Sequence, residues 1–288
     1  MKIYIDGKFY PKEMAKVSVF DHGYLYGDGI YETLRAYGGK VFKLDEHIAR
    51  LKQSASLMEM TLPLDDNGFV KAITDTIREN ALGDAYVRIT VSRGEGEIGL
   101  DPALCPKPTL VIIAKEFKDY PSEMREQGIR VTVTKTRRNH PECIDPAIKS
   151  TNFLNNIFAK VEAKKAGSHE GIMLNHSGFV AEGTVSNVFI VRRGALLTPP
   201  VLSGILVGVT RSVVMGLAAA MGVEASEEPF TEIEMRQADE VFITNTTMEV
   251  MPVTVVDGTK VADGRPGALT KKLSAAYTEE VARCLKAH

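Results

Sequence analysis

The stretch Ile148-Lys149-Ser150-Thr151-Asn152-Phe153-Leu154-Asn155-Asn156 places one lysine directly before a helical pattern. Apolar residues at helical spacing predict a helix over 152–166. Pro146 disfavours helix upstream, so Lys149 is expected at the end of a strand or loop. A lysine held there can point into a cleft, where burial or neighbouring cations make its amine a nucleophile able to form a Schiff base. On this local pattern alone a solvated surface lysine is the more common explanation, so the interpretation depends on the rest of the chain.

Two later segments add chemistry that a surface lysine would not need. Glu182 stands in the apolar and small run 178–190, where a carboxylate requires a partner. The segment Ser203-Gly204-Ile205-Leu206-Val207-Gly208-Val209-Thr210-Arg211 opens a helix predicted to run to about Met221, and the N–H groups at such a start favour a phosphate. A lysine, an isolated glutamate and a phosphate-binding helix start together suggest pyridoxal phosphate as the cofactor.

The order of these motifs resembles that of the class IV (fold type IV) pyridoxal-phosphate aminotransferases, and most closely the branched-chain amino acid aminotransferases. Matching stretches cover nearly the whole chain, from Phe20 to Pro252. They are Phe20-Asp21-His22-Gly23, Gly27-Asp28-Gly29-Ile30-Tyr31-Glu32, His47-Ile48-Ala49-Arg50-Leu51, Lys149 with its helix, 182–189, Thr198-Pro199, Gly208-Val209-Thr210-Arg211 and Thr246-Thr247-Met248-Glu249. Their order and spacing argue against coincidence.

The resemblance implies a role at the cofactor for each matched residue. Lys149 is the catalytic lysine, which binds the cofactor and moves a proton as general base and acid. Glu182 pairs with the protonated pyridine nitrogen. The implied phosphate ligands are Arg50, Val209, Thr210 and Thr246. Phe153 departs from the pattern, because many branched-chain enzymes have a tyrosine there that bonds the phenolic oxygen of the cofactor.

For the substrate, the resemblance implies a polar and aromatic wall and a shaped loop. The implied substrate-binding residues are Tyr26, Tyr31, Tyr86, Arg88, Ile98, Leu100, Thr246 and Thr247. Tyr86 and Arg88 alternate along one strand and therefore face the same side. The loop 93–102 reaches over the neighbouring subunit's site in the family. Its Ile98 and Leu100 can line an apolar pocket, whereas the best-known D-amino acid aminotransferases carry an arginine and a histidine there to trap a carboxylate.

The predicted activity is therefore transamination of branched-chain L-amino acids with 2-oxoglutarate by a ping-pong mechanism. Arg88 is the candidate group for the side-chain carboxylate of glutamate. One alternative is D-amino acid transamination with a different carboxylate trap, for which Arg137 and Arg138 are candidates. Another is aminodeoxychorismate lyase, which uses a threonine at the point matching Thr33. A non-catalytic pyridoxal-phosphate-binding protein is a third, but the intact pair of lysine and glutamate argues against it.

The composition indicates which binding partners and which cellular location to expect for the protein. The 288 residues are 44% hydrophobic and 25% charged, as is ordinary for a globular protein, and the net charge of −2 gives no electrostatic case for nucleic acid or anionic membranes. The three cysteines lie far apart, show no metal spacing and suit a reducing cytoplasm. Expected partners are small-molecule amino acids and 2-oxo acids, and the resemblance adds a second copy in a homodimer. Nucleic acid, membrane and metal partners are not expected.

The predicted fold is α+β with two domains. A hairpin over 2–9, broken at Asp6-Gly7-Lys8, and strands at 17–20, 29–37, 85–92 and 109–115 predict a small N-terminal domain over 1–117. Its predicted helices are one capped by Asp45 and one opened by Asp65 and Asp66. Residues 118–128 are the predicted linker. Residues 129–288 are predicted to form the larger cofactor-binding domain, for which the resemblance implies a β-barrel-like sheet with helices.

Overall fold

The computed structural model describes residues 1–287, which group into two compact units. The first unit comprises Met1–Lys118, the short segment Ile148–Asn152 and residues 284–287 at the end of the described chain. The second unit comprises Asp119–Ala147 and Phe153–Arg283. Both contain helices and strands, so the predicted α+β class is confirmed. Within residues 1–287, no helix combines the length and the apolar character needed to span a membrane.

The first unit is a six-stranded antiparallel sheet with helices packed on one face. Its sheet order is β2-β1-β6-β5-β3-β4. The elements are β1 (Lys2–Ile5), β2 (Lys8–Pro11), α1 (His22–Tyr26), β3 (Gly29–Tyr37), β4 (Lys40–Val41), α2 (Leu44–Leu57), α3 (Asp66–Glu79), β5 (Ala85–Ser92) and β6 (Thr109–Glu116).

Alternation along β5 decides which face of this sheet carries the core. Val87 and Ile89 are fully buried under helices α2 and α3, while Tyr86 and Arg88 face the other side, as predicted. The helices contribute Leu51 and other apolar residues at helical spacing to the same core. One face of the sheet is thus committed to packing, and the opposite face is left with polar and aromatic side chains.

The second unit contains a nine-stranded mixed sheet. Eight strands follow the order β12-β11-β10-β13-β14-β7-β8-β9, and β15 pairs with β14. The elements are α4 (Ser122–Gln127), β7 (Ile129–Val133), α5 (Leu154–Lys165), β8 (Glu170–Leu174), β9 (Val180–Gly183), β10 (Asn187–Arg192), β11 (Ala195–Thr198), α6 (Val209–Ala220), β12 (Ala225–Glu227), α7 (Glu232–Arg236), β13 (Glu240–Asn245), β14 (Glu249–Val256), β15 (Thr259–Lys260) and α8 (Ala268–Ala287).

Three local predictions differ from the structure. Residues 17–20 form no strand. Helix α2 is capped by Lys43 in the left-handed conformation, so Asp45 lies within its first turn, where a negative charge favours the helix dipole. The helix after Lys149 begins at Leu154 rather than at 152, because Thr151 and Asn152 bond back to Gly27.

The boundaries of the units add two details to the predicted domain scheme. Residues 119–128 of the predicted linker group with the second unit and include α4. The segment Ile148–Asn152, which carries the lysine, groups with the first unit, although most of its neighbours in sequence belong to the second. Long-range hydrogen bonds along the edge of a sheet, which local sequence does not record, account for this placement.

Candidate active site

Lys149 is held by its backbone along the edge of strand β3. Its carbonyl oxygen accepts a hydrogen bond from the N–H of Tyr31 at 2.9 Å, and Thr151 N–H donates to the carbonyl of Gly29 at 2.8 Å. On the other side, the N–H of Lys149 donates to the Ser54 hydroxyl on α2 at 3.1 Å. The lysine therefore lies at the end of a loop, one of the two placements predicted, and follows a turn rather than an extended segment. Its backbone has partners on a strand and on a helix.

The side chain of Lys149 lies over an aromatic ring. Its Nζ is 4.6 Å from the centroid of the Tyr31 ring, and the Arg88 guanidinium carbon lies 4.0 Å from the same centroid. Tyr31 is only 6% exposed, and this burial raises the pKa of its phenol far above the usual value although the charge of Arg88 opposes the shift. Two cations and one neutral phenol ring are thus brought together on the face of the sheet that carries no helix.

Behind this face lies a buried ionic cluster that includes Arg50. The Glu32 carboxylate accepts from Arg50 Nε at 2.7 Å and from Arg50 Nη2 at 2.8 Å, and His47 Nδ1 lies 2.8 Å from its second oxygen. Burial alone would raise the pKa of Glu32, but the charge of Arg50 and these hydrogen bonds outweigh it and hold the pKa well below the usual range. Burial lowers the pKa of His47, because it disfavours the charged imidazolium, and the Glu32 carboxylate opposes that shift.

This cluster fixes the guanidinium plane of Arg50, the predicted phosphate ligand. Glu32 receives two parallel N–H bonds from it, which is the bidentate geometry that orients arginine most strictly. His47 and Arg50 lie one turn apart on α2, and Glu32 projects from β3 toward them. Two stretches that match the family pattern, one with Glu32 and one with His47 and Arg50, therefore meet in the same ionic cluster.

The remaining residues of the predicted substrate wall lie in different surroundings. The hydroxyl of Tyr26, on α1, accepts from the N–H of Gly99 at 3.2 Å and so contacts the 93–102 loop. Ile98 and Leu100 on that loop are 72% and 83% exposed in the single chain. The ring of Tyr86 faces Lys115, whose Nζ lies 5.0 Å from its centroid. Of the four wall residues, Tyr31 contacts the Lys149 amine through its ring, and Arg88 contacts the same ring.

In the second unit, the Glu182 carboxylate has partners at both oxygens. Arg138 Nε donates to Oε1 at 2.7 Å, and the N–H of Leu206 donates to Oε2 at 2.9 Å. Asn187 Nδ2 lies 3.4 Å from Oε2 and also donates to the carbonyl of Leu206 at 2.8 Å. Glu182 is 5% exposed, so these contacts compensate a carboxylate that is nearly removed from water.

The predicted phosphate-binding helix start immediately follows the Glu182 contacts. Helix α6 begins at Val209, has Gly208 as its N-cap without a side-chain hydrogen bond, and buries Val209 and Thr210. A Cβ at Gly208 would meet Asn187 Oδ1 at 2.0 Å, so this turn accepts only glycine without rearrangement. The turn therefore presents main-chain N–H groups at the positive end of a twelve-residue helix.

Asn245 shapes the predicted turn with Thr246 and Thr247, which joins β13 to β14. Its Oδ1 accepts from the N–H of Thr247 at 2.9 Å, from the Thr247 hydroxyl at 3.1 Å and from the N–H of Met248 at 2.7 Å. The Tyr120 hydroxyl lies 3.1 Å from Thr247 Oγ1. The turn is thus organised by a side chain that sequence reasoning overlooked, although an asparagine before two threonines is a usual turn signal.

The partners of the key charges could not be predicted from local sequence. Glu32 and His47 belong to family-like motifs, and Asn187 belongs to the run after Glu182, but these positions do not indicate their partners. Arg138 was considered only as a substrate-binding group, not as the partner of Glu182. The spacing of 44 residues between Arg138 and Glu182 gives no local signal for the pair.

The available donors fit the chemistry of pyridoxal 5'-phosphate. A primary amine with a fixed backbone is present at Lys149, and a buried, ionically paired carboxylate suited to a protonated ring nitrogen is present at Glu182. An oriented guanidinium at Arg50 and the N–H groups at the start of α6 suit a phosphate. No group of three or more His, Cys, Asp or Glu side chains suited to a metal ion occurs in residues 1–287.

Comparison with known proteins identifies the family. The family model described as amino-transferase class IV matches residues 29–256. A Methanocaldococcus jannaschii protein assigned provisionally to the branched-chain amino acid aminotransferases is 46% identical over 279 residues, which are 97% of this chain and 96% of that protein. The D-alanine aminotransferase of Staphylococcus epidermidis is 36% identical over 282 residues, with 97% of this chain and 98% of that protein covered.

A solved structure agrees in fold. The crystal structure of the branched-chain amino acid aminotransferase of Escherichia coli superposes with a TM-score of 0.93 at 34% identity, covering 96% of this chain and 93% of that chain. The chain belongs to the class IV aminotransferases. The predicted fold type IV architecture, the aminotransferase activity and the cofactor pyridoxal 5'-phosphate are thereby confirmed, and the small-molecule partners are amino acids and 2-oxo acids.

Proposed function

We propose that this aminotransferase transfers the amino group of branched-chain L-amino acids to 2-oxoglutarate by a ping-pong mechanism. The observation that carries the proposal is the pair of apolar residues Ile98 and Leu100 in the 93–102 loop, where a D-specific enzyme of the best-known type needs cationic side chains. The similarity to the Escherichia coli branched-chain enzyme over nearly the whole chain supports the same substrate class.

Different residues of the chain have different roles in this reaction. Lys149 Nζ accepts the α-proton of the amino acid and returns it, acting as general base and then as general acid. Glu182 neutralises the positive charge of the ring nitrogen, while Arg50, Val209, Thr210 and Thr246 hold the phosphate. When bound, pyridoxal 5'-phosphate supplies a ring that withdraws electrons from the substrate α-carbon.

The substrate side uses the residues that surround the lysine. Arg88, which lies over the Tyr31 ring, binds the side-chain carboxylate when glutamate occupies the site, whereas the ring supplies apolar surface for leucine. Tyr26, Tyr86, Ile98 and Leu100 complete the wall, and the turn at Thr246 and Thr247 receives the α-carboxylate. An arginine that stacks on an aromatic ring can leave its fork available to a carboxylate, which suits a site with two kinds of substrate.

D-amino acid transamination is the second candidate, and the 36% identity to a D-alanine aminotransferase favours it. A half-reaction test separates the two. Purified enzyme is mixed in turn with L-leucine, D-alanine and D-glutamate, and the absorbance of the bound cofactor is followed. Fast conversion by L-leucine alone is expected, with Lys149→Ala as the variant that does not convert. Conversion mainly by a D-amino acid would overturn the proposed substrate class.

We also propose a cytoplasmic homodimer. Helix α5 buries the small residues Ala159 and Ala163 and exposes large apolar ones, which is the reverse of an ordinary surface helix. The exposed residues are Leu154, Ile157, Phe158 and Val161. Contiguous apolar surface of this kind suits a protein interface. The three cysteines lie far apart in the sequence, which fits a reducing compartment.

Sedimentation velocity tests the dimer. Phe158→Asp is expected to yield monomers because it places a charge within an apolar interface. Leu202→Asp is the matched control, since Leu202 is 92% exposed and lies in a different element. A monomeric parent protein, or a dimer that persists in the Phe158→Asp variant, would refute the proposed interface.

A further inference from the structure

The Glu182 carboxylate is held by an arginine that no family motif in the sequence assigns to it. Arg138 Nε donates to Glu182 Oε1 at 2.7 Å, and the Arg138 side chain is only 11% exposed. The same arginine is anchored independently, since its N–H donates to the carbonyl of Leu174 at 2.9 Å and Nη1 donates to Asn139 Oδ1 at 3.3 Å. The guanidinium therefore reaches Glu182 from a backbone that is itself tied to strand β8.

We propose that Arg138 is a positioning residue, which holds the Glu182 carboxylate ionised and correctly oriented for the ring nitrogen of pyridoxal 5'-phosphate. This inference rests on the role proposed for Glu182. Arg138 acts through that carboxylate and is not a substrate-binding group.

Burial provides the first reason for this role. Glu182 is 5% exposed, and a carboxylate with so little access to water remains charged only with a compensating cation and hydrogen bonds. Arg138 provides a cation in direct contact, while Leu206 N–H and Asn187 Nδ2 contact the other oxygen. Without the guanidinium, the carboxyl group is expected to bind a proton, and a neutral acid no longer neutralises a positive ring nitrogen.

Orientation provides the second reason. One oxygen of Glu182 is fixed by Arg138 and the other by the backbone just before α6, so the carboxylate plane is held from two sides. The second anchor belongs to the segment that leads into the phosphate-binding turn, and Asn187 bonds to the same segment. Loss of Arg138 removes the 2.7 Å contact at Oε1, so a less strictly oriented carboxylate is expected.

The geometry also argues against Arg138 as a trap for a substrate carboxylate. A guanidinium that binds a buried glutamate at 2.7 Å would have to exchange this partner for the substrate and leave a buried charge behind. The D-specific alternative and the positioning role therefore predict changes in different measured quantities. A trap changes the KM for the amino acid, whereas a positioning residue changes the cofactor.

The experiment compares Arg138→Met, Arg138→Lys, Glu182→Gln and the double variant Arg138→Met/Glu182→Gln with the parent holoenzyme. Arg192→Met is the matched control, because it removes an exposed arginine that pairs with a glutamate in the same unit. Measured quantities are the Kd of pyridoxal 5'-phosphate for the resolved apoenzyme, the absorbance of bound cofactor against pH, the KM for L-leucine, and the Tm of each apoenzyme.

The positioning role predicts that Arg138→Met raises the cofactor Kd by roughly tenfold or more and alters the pH dependence of its absorbance, while the leucine KM changes little. Arg138→Lys should recover part of the loss because the charge remains without the planar fork. In the Glu182→Gln background, Arg138→Met should add less than about twofold, since both changes act on one contact. The control should match the parent.

Three results would overturn the inference. If Glu182→Gln changes cofactor binding and Arg138→Met does not, Arg138 is structural and the role of Glu182 stands. If neither variant changes it, the role proposed for Glu182 fails as well. If Arg138→Met raises only the leucine KM, the arginine binds substrate. If the Arg138→Met variant does not fold, the Arg138→Lys variant provides the test. A cofactor Kd and an absorbance profile equal to those of the parent protein in Arg138→Lys would show that the arginine fork is not needed.

Discussion

The Nζ atom of Lys149 lies 4.6 Å from the centroid of the Tyr31 ring, and the backbone N–H of Tyr31 donates to the Lys149 carbonyl at 2.9 Å. One residue therefore contacts the lysine twice, through its backbone and through its ring. A cation over a ring face is stabilised by about 0.5–2 kcal/mol, depending on its desolvation. The ring thus adds a second contact that helps to hold the amine in one place.

Substitution of Tyr31 tests this use of the ring. Tyr31→Phe keeps the face of the ring and is expected to retain kcat/KM for L-leucine within about threefold, whereas Tyr31→Leu should lose about tenfold. Because burial raises the pKa of the Tyr31 phenol far above its usual value, Tyr31→Phe should also leave the alkaline limb of the pH–rate profile unchanged. Tyr37→Leu, on the same strand, is the control. A Phe variant as impaired as the Leu variant would show that the hydroxyl is required.

The hydroxyl of Ser54 fixes the backbone N–H of Lys149 from the opposite side. Ser54 is fully buried, so Ser54→Ala leaves that N–H without its partner and is expected to lower stability by about 1 kcal/mol. Displacement of the lysine should also lower kcat by a few-fold, and the increase in KM should be smaller than this decrease. Thermal unfolding and steady-state kinetics measure the two effects. Ser56→Ala, an exposed change on the same helix, should alter neither.

Local pattern predicted the elements of the fold because each depends on neighbours in sequence. Strand β5 alternates over eight residues, and Tyr86 and Arg88 fall on one face as expected. The N-cap of α3 at Asp65 was equally readable, since its side chain accepts from Gly68 three residues later. By contrast, the strand predicted at 17–20 was wrong, because a short apolar alternation does not itself supply a pairing partner.

Some of the residues that carry the chemistry of the site could be predicted from the sequence. Lys149 stood out by its place before a helix, and Glu182 by its isolation in apolar sequence. Their partners did not, because Arg138, Ser54 and Tyr31 meet them only after the chain has folded over 44 residues or more. A buried charge predicts that some partner exists. It does not predict which residue provides it, since that depends on strand register and loop path.

The buried cluster of Glu32, His47 and Arg50 makes stability depend on pH with a definite sign. Both titrating groups have a lowered pKa in the folded chain, so the unfolded chain binds more protons and stability rises with pH. The His47 contribution is complete above its ordinary pKa of 6.5 and is lost as pH falls below it. The Glu32 contribution is complete above 4.5 and is lost at lower pH.

The measurement is the Tm of the protein at successive pH values. The parent protein should lose Tm as pH falls below 6.5 and lose more below 4.5, while His47→Gln should flatten the upper part of that curve and keep the lower part. The exposed His176 provides a control, since His176→Gln should reproduce the parental curve. An unchanged upper limb in His47→Gln would mean that another group causes the loss.

The start of α8 depends on a carboxylate from a distant strand. Glu240 on β13 accepts from Leu269 N–H at 2.9 Å, from Thr270 N–H at 2.7 Å and from the Thr270 hydroxyl at 2.6 Å. It therefore satisfies N–H groups that the first turn of a helix leaves without partners, and its charge lies at the positive end of the helix dipole. Glu240→Ala is expected to lower the free energy of unfolding by about 2 kcal/mol.

Gly267 precedes α8, and its contact with Glu240 gives an independent test of the same capping arrangement. A Cβ at Gly267 would lie 1.9 Å from the carboxyl carbon of Glu240, so Gly267→Ala must displace the capping side chain. Urea unfolding should therefore show Gly267→Ala destabilised by about as much as Glu240→Ala, and the double variant should be far less than additive. Glu279→Ala, on the exposed face of α8, should have little effect. Additive losses would mean that Gly267 acts through its own backbone and not through the cap, because the two changes would then have no shared contact to remove.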